Sequence, residues 1–296
     1  MSDHLKESKG MNTISRRSFM KTTTAAAALA GAGISKLAAK PLKMPIGLQL
    51  YSVRELLPKD FDGTLAKVRA AGYTEVEAAG YYKRTAAEFR KAMDKAGLRC
   101  TSTHHSLADL KAHEDELIAY GHELGLSYMI CPWPMPRDPA GSFPLKLDDW
   151  RWVAEELNRI GEKTKAAGMS FGYHNHDIEF SQEGGVVIFD ELLRLTDPKL
   201  VCFEMDCGLV AMAGRNPVDY LSKTPERFPL MHVKDVVKGA DGKFHDTELG
   251  RGAPDYHSVL RAATELKHYF IEQEDFDMDP IEALRLDADY MRKLNV

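Results

Sequence analysis

Two short apolar runs end in side chains that can bind a metal or carry a proton. They are Val201-Cys202-Phe203-Glu204-Met205-Asp206 and Leu230-Met231-His232-Val233-Lys234-Asp235. In a strand, residues two apart share a face, so Glu204 and Asp206 point together, as do His232 and Lys234. The same kind of ending recurs along the chain. It reads Gln49, Glu77, His104 and His105, Trp133 just beyond a fourth run, His174 and His176, and finally Glu272 with Glu274. Singly, each has a structural explanation: an ion pair at the core edge for Glu77, a helix cap for His104 or His105, a pairing with Asp235 for Lys234. The last four runs ending in His, Asp, His and Glu are harder to explain that way. Imidazole and carboxylate donors together suit Mn²⁺, Zn²⁺, Co²⁺ or Fe²⁺ better than Mg²⁺ or Ca²⁺.

Groups so placed need a scaffold that gathers strand ends. Strands are expected at 46–51, 74–78, 99–103, 127–131, 169–173, 200–205, 230–233 and 269–272. Helical spacing fills 61–71, 85–96, 109–124, 148–168, 189–195, 217–224, 255–266 and 280–294, with Gly72, Gly97 and Gly125 as stop signals. This alternation predicts an α/β fold, a closed (β/α)8 TIM barrel. A doubly wound open sheet would carry a Gly-rich phosphate turn after its first strand, and Gln49-Leu50-Tyr51-Ser52 is no such turn. A barrel builds its site at the carboxyl ends of its strands. The amino-terminal ends here read as bland.

The barrel is assigned to residues 40–296, and residues 1–39 to a leader. Ser15-Arg16-Arg17-Ser18-Phe19-Met20-Lys21 precedes an Ala-rich apolar stretch from Ala25 to Ile34, the order of parts in an export signal. The paired arginines resemble the twin-arginine (Tat) signal, which implies the Tat export machinery as a partner and a periplasmic destination. The stretch is too short and too rich in Gly and Ala for a stable membrane anchor. A formal net charge of −5, with no basic run beyond the leader, speaks against a nucleic-acid partner. Cys100, Cys131, Cys202 and Cys207 have no CxxC spacing and read as core thiols rather than a disulfide framework.

On these residues the chain resembles the xylose isomerase-like, sugar phosphate isomerase/epimerase group, the AP endonuclease family 2 fold. The carriers are Gly47-Leu48-Gln49-Leu50-Tyr51-Ser52, Gly172-Tyr173-His174-Asn175-His176-Asp177-Ile178-Glu179-Phe180, Asp206, His232-Val233-Lys234-Asp235, Glu248-Leu249-Gly250-Arg251-Gly252 and Ile271-Glu272-Gln273-Glu274. The resemblance implies a divalent metal held by Glu, Asp, His and Glu on strands five to eight. The last three fall on Asp206, His232 and Glu272. His174 stands where the strand-five Glu is expected, and Glu179 in the following loop is the other candidate. Many relatives have a His three residues after the Asp, where this chain has Leu209. The pattern looks closer to the inosose dehydratase-like and 3-keto-glycoside-processing members than to the ketose epimerases.

The chemistry implied is proton abstraction next to the carbonyl of a sugar or keto-sugar, leading to isomerisation, epimerisation or β-elimination. His176 is expected to do acid/base work, with Glu274 the second choice and Lys234 stabilising a developing oxyanion. Tyr51 and Trp133 are expected to stack on a sugar ring. Gln49, Glu77, His104, His105, Glu179 and Arg251 complete the candidate substrate contacts. A non-catalytic sugar-binding barrel is the competing class. A nucleic-acid repair role is opposed by the acidic balance.

Overall fold

The structure, a computed structural model, describes residues 43–295. The expected leader at 1–39 lies outside the described residues. Eight parallel strands close into a barrel: β1 Gly47–Gln49, β2 Glu75–Ala78, β3 Arg99–His104, β4 Tyr128–Cys131, β5 Ser170–His174, β6 Val201–Asp206, β7 Leu230–Val233 and β8 His268–Ile271. Each pairs with its sequence neighbour, and β8 returns to β1 through Gly47 opposite Phe270. The connecting helices are α1 Phe61–Ala71, α2 Ala86–Ala96, α3 Leu107–Leu124, α4 Leu147–Ala166, α5 Ile188–Leu195, α6 Cys207–Met212, α7 Pro217–Lys223, α8 Tyr256–Ala262 and α9 Pro280–Lys293. The expected fold is the observed one.

Local chemistry sets the helix ends. Thr85 and Glu88 form a reciprocal capping box at α2, and the Ser106 hydroxyl accepts from the Asp109 N–H at α3. The left-handed Gly72, Gly97 and Gly125 close α1, α2 and α3.

Four features depart from the sequence reading. The first strand stops at Gln49, whose side chain accepts from the Tyr51 N–H at 3.0 Å and turns Leu50–Val53 into a 3₁₀ helix. Asp206 caps the unexpected α6 by accepting from the Leu209 N–H at 2.8 Å. Two short hairpins also appear, one pairing Gln182–Glu183 with Val186–Val187 and one pairing Asp235–Lys238 with Phe244–Thr247. Lastly, the amino-terminal end is not bland: buried Glu75 lies 2.8 Å from His268 Nδ1 and pairs with Arg99.

The main core lies between strands and helices, where the outward strand residues Tyr173 and Phe203 meet edge to face and Phe189 of α5 packs edge-on against Phe203. Inside the barrel, Ile130, Leu230 and Phe270 form a separate apolar plug, with Tyr128 and Cys202 against it. Gly172 belongs to this layer for a steric reason: a Cβ there would lie 2.8 Å from Ile130 Cδ1 and 2.9 Å from Cys202 Sγ. The plug is the floor on which the polar layer above it rests.

Asp287 on α9 ties the loop after the second hairpin to the barrel, accepting from the Leu249 N–H at 2.8 Å. Burial, aided by Glu248 and Asp235, pushes its carboxyl up to about 7. The folded state therefore holds a proton that the unfolded chain, with a pKa of about 3.9, releases. That contribution to stability is full below the unfolded pKa and is lost as pH rises through the folded one. Asp287→Asn is expected to gain roughly 2 kcal/mol over wild type on going from pH 5 to pH 8. Denaturant titrations at both pH values check this, and an equal difference at the two would refute it.

Candidate active site

The carboxyl ends of β5 to β8 bring four buried donors together. Ligand atoms of His174, Asp206, His232 and Glu272 all lie within 4.8 Å of one another. Alternation along each strand turns all four inward, above the apolar plug. Asp206 spends Oδ1 on the Leu209 N–H, while Oδ2 is buried with no partner among the described residues. A buried carboxylate oxygen left unpaired is costly unless a cation or proton meets it.

Beneath lies a layer that orients the histidines. His232 Nδ1 faces Glu272 Oε2 at 3.2 Å, and its Nε2 faces Glu77 Oε2 at 2.7 Å and Glu204 Oε2 at 3.2 Å. Glu204 Oε2 also lies 2.8 Å from His104 Nε2 and 3.2 Å from His174 Nδ1. One carboxylate thus touches three imidazoles, and His104, His174, Glu204 and His232 form a second group of mutually close donors. Gln49 Nε2 donates to Glu77 at 2.8 Å, and the Ser102 hydroxyl holds its other oxygen. Carboxylates behind imidazoles fix ring orientation and tautomer, as in many metal sites. Glu204 received no role from the sequence, although its place two residues before Asp206 on the same face was the signal.

The charges follow from this packing. Burial opposes charge on His232, but Glu204 and Glu272 outweigh it and raise its pKa well above the usual range. Burial likewise opposes the charge on His104, while Glu77 and Glu204 raise it to about 9. His174 is lowered to about 4 by burial and by His232. Burial pushes Asp206 up to about 7 against the pull of Lys234. The Lys234 ammonium is buried, yet Glu272, Asp206, Asp246 and Glu274 hold its pKa well above normal. It lies 3.4 Å from Glu272 and pairs with Glu274.

A cavity of about 400 Å³ opens onto this floor, with His174 and Glu272 at its base. Tyr51, His104, Trp133, His176 and Glu274 form its walls. His176 packs edge-on against Trp133, ring centroids 4.9 Å apart, and its Nδ1 is buried without a partner among the described residues. Burial, then His174, lowers its pKa to about 2, so the ring is neutral.

Five expected substrate contacts are placed elsewhere. Glu179 does not reach the donor cluster: Tyr173 OH donates to Oε1 and the His176 N–H to Oε2 at 2.8 Å, so it braces the turn after β5. Of the two candidates for the strand-five position, His174 is the one in the cluster. His105 points away from the cavity, 3.1 Å from Tyr81 OH, because neighbouring strand residues face opposite sides. Arg251 is exposed and paired with Glu248. Gln49 and Glu77 are fully buried under the site and hold His232 and His104 rather than line the cavity.

Fold and site together define a closed barrel with a cation-competent cluster at the carboxyl ends of its strands, the position at which this architecture carries its chemistry. The chain belongs to the xylose isomerase-like TIM barrel family, whose model matches residues 65–294. Among relatives, an inosose dehydratase of Clostridium beijerinckii is 25% identical over 197 residues, covering 60% of this chain and 63% of that protein. The chain thus matches just under two thirds of that relative's length. A solved sugar phosphate isomerase/epimerase from Parabacteroides distasonis ATCC 8503 is 28% identical, covers 86% of this chain and 94% of its own, and superposes with a TM-score of 0.69. The 3-keto-D-glucoside 4-epimerase of E. coli shares the fold, at 19% identity over 85% of this chain and 100% of its own, with a TM-score of 0.66.

Proposed function

We propose that this chain is a metal-dependent enzyme of isomerase, epimerase or lyase type that abstracts a proton next to the carbonyl of a sugar or keto-sugar. The observation that carries the reading is the unpaired, buried Asp206 Oδ2 inside a cluster of two imidazoles and two carboxylates. His174, Asp206, His232 and Glu272 would hold a divalent ion, and the donor set fits Mn²⁺, Zn²⁺, Co²⁺ or Fe²⁺. Bound there, such an ion supplies Lewis acidity to a carbonyl and its neighbouring hydroxyl.

The chain's own residues do the rest. Tyr51 and Trp133 offer exposed aromatic faces at the mouth for a sugar ring. His176 lines the cavity wall with a neutral ring and is the residue assigned to take the α-proton. Glu274, beside the Lys234 ammonium, is placed to return a proton or to protonate a leaving group. Lys234 keeps its proton among four acidic neighbours, so its part is charge stabilisation rather than proton abstraction.

A second outcome of the same first step is β-elimination, favoured by the inosose dehydratase match. The C–H bond next to the carbonyl breaks, a double bond forms, and the β-hydroxyl or β-alkoxyl leaves with a proton. Twin-arginine export to the periplasm is part of the proposal, on the Arg16-Arg17 leader.

The test incubates metal-loaded protein with an inosose and with 3-keto-glucosides in D₂O. Deuterium entry next to the carbonyl, seen by NMR with or without elimination, is the expected result. Binding without exchange for every keto-sugar would leave a sugar-binding barrel instead.

A further inference from the structure

A second cavity, of about 440 Å³, adjoins the first and shares Trp133 with it. Phe143, Pro144, Leu145, Trp150 and Ile178 line it, and Ser181 is its only hydroxyl-bearing residue. No charged side chain takes part. The two cavities therefore differ in kind: one has a floor of imidazoles and carboxylates, the other is walled by aromatic and aliphatic carbon.

The exposed aromatic residues point the same way. Among the described residues, the large exposed hydrophobics are Tyr51 at 42%, Trp133 at 41%, Phe143 at 45% and Met278 at 39%. Three of these four edge one cavity or the other. Exposed aromatics gathered at a site mouth, rather than scattered, mark a binding surface. Trp133 is the hinge between the halves, 4.9 Å from the His176 ring on one side and 5.5 Å from the Phe143 ring on the other. The row His176, Trp133, Phe143 leads from the acid/base wall out of the polar cavity into the apolar one.

We infer that the apolar cavity is a subsite for the aglycone of a glycoside whose sugar ring occupies the polar cavity, and that this aglycone is apolar, an aryl group or similar. This rests on the sugar reading above and narrows it to a substrate class. A phosphorylated substituent would need cationic partners, and no Lys, Arg or His lines this wall. A second sugar could stack on Trp133, but the lining side chains offer its several hydroxyls only Ser181 and the indole N–H groups of Trp133 and Trp150, leaving most of them unpaired. An apolar ring meets no such cost and gains from burial against Phe143 and Ile178.

The experiment measures binding of methyl and 4-nitrophenyl 3-keto-glucosides, each anomer, to the metal-loaded protein by calorimetry, with 3-keto-cellobiose as the two-sugar probe. The 4-nitrophenyl compound is expected to bind at least tenfold tighter than the methyl one. Phe143→Ala is expected to remove that advantage while the methyl glycoside binds as before, and Ile178→Thr to reduce it part of the way. Equal binding of methyl and aryl compounds would overturn the subsite and leave the sugar reading intact. Tighter binding of the two-sugar probe than of the aryl glycoside would also overturn it, making the groove a second sugar site. Failure of all the glycosides to bind would instead sink the sugar reading on which the subsite depends.

Discussion

Asp206→Asn is expected to lower divalent-metal affinity by more than about 100-fold, beyond the range usual for losing an outer-layer partner. The amide is isosteric and its carbonyl oxygen can still accept from the Leu209 N–H, so α6 keeps its cap. What disappears is the carboxylate oxygen that has no partner among the described residues. The metal-free variant is expected to be at least as stable as wild type. In wild type, burial and the Glu272 charge both disfavour the Asp206 carboxylate and push its pKa up. A residue that costs stability and is repaid only on ligand binding has the profile of a functional group. Metal competition titrations and thermal unfolding of metal-free protein give the two readouts. Glu179→Gln supplies the contrast: it should keep its metal and lose stability, since Glu179 braces Tyr173 and the His176 backbone from outside the cluster. Wild-type metal affinity in Asp206→Asn would remove the metal site from the proposal.

Much of this architecture is legible in the chain because strand and helix periods and glycine stops agree. Each Gly that closes α1, α2 or α3 takes a left-handed conformation that few other residues adopt cheaply. The donors on β5 to β8 were legible for a related reason: strand alternation turns Asp206 and Glu204, or His232 and Lys234, to one side without any knowledge of tertiary contacts. What sequence could not supply was depth. Gln49 and Glu77 end their strands like substrate contacts, yet the barrel places them one layer down, where they hold His232 and His104. Glu179 and Arg251 sit in loops, whose paths depend on tertiary partners such as Tyr173 and Glu248 that no local period announces. The Asp235–Lys238 hairpin was missed because its strands are short and pair only with each other.

His176→Ala is expected to slow turnover by about 10²–10⁴-fold, the usual share of a positioned acid or base, with metal content unchanged. The ring is held from several directions. Trp133 packs edge-on at 4.9 Å, His174 at 5.1 Å, and Glu179 fixes the backbone N–H at 2.8 Å. That restraint holds the ring in the cavity wall in one orientation, which a positioned acid or base requires. Glu274 stands in the same cavity beside Lys234, which gives the site a second acid/base group of different chemistry. The division of labour is separable by isotope exchange. If His176 takes the first proton, His176→Ala loses deuterium exchange and net conversion together. Glu274→Gln should then keep exchange while losing epimerisation or elimination, because only the second proton transfer is impaired. The opposite pattern, exchange lost in Glu274→Gln and kept in His176→Ala, would exchange the two roles. Full activity in both variants would place the acid/base chemistry outside this cavity wall and leave the buried Lys234 ammonium without a developing oxyanion to stabilise.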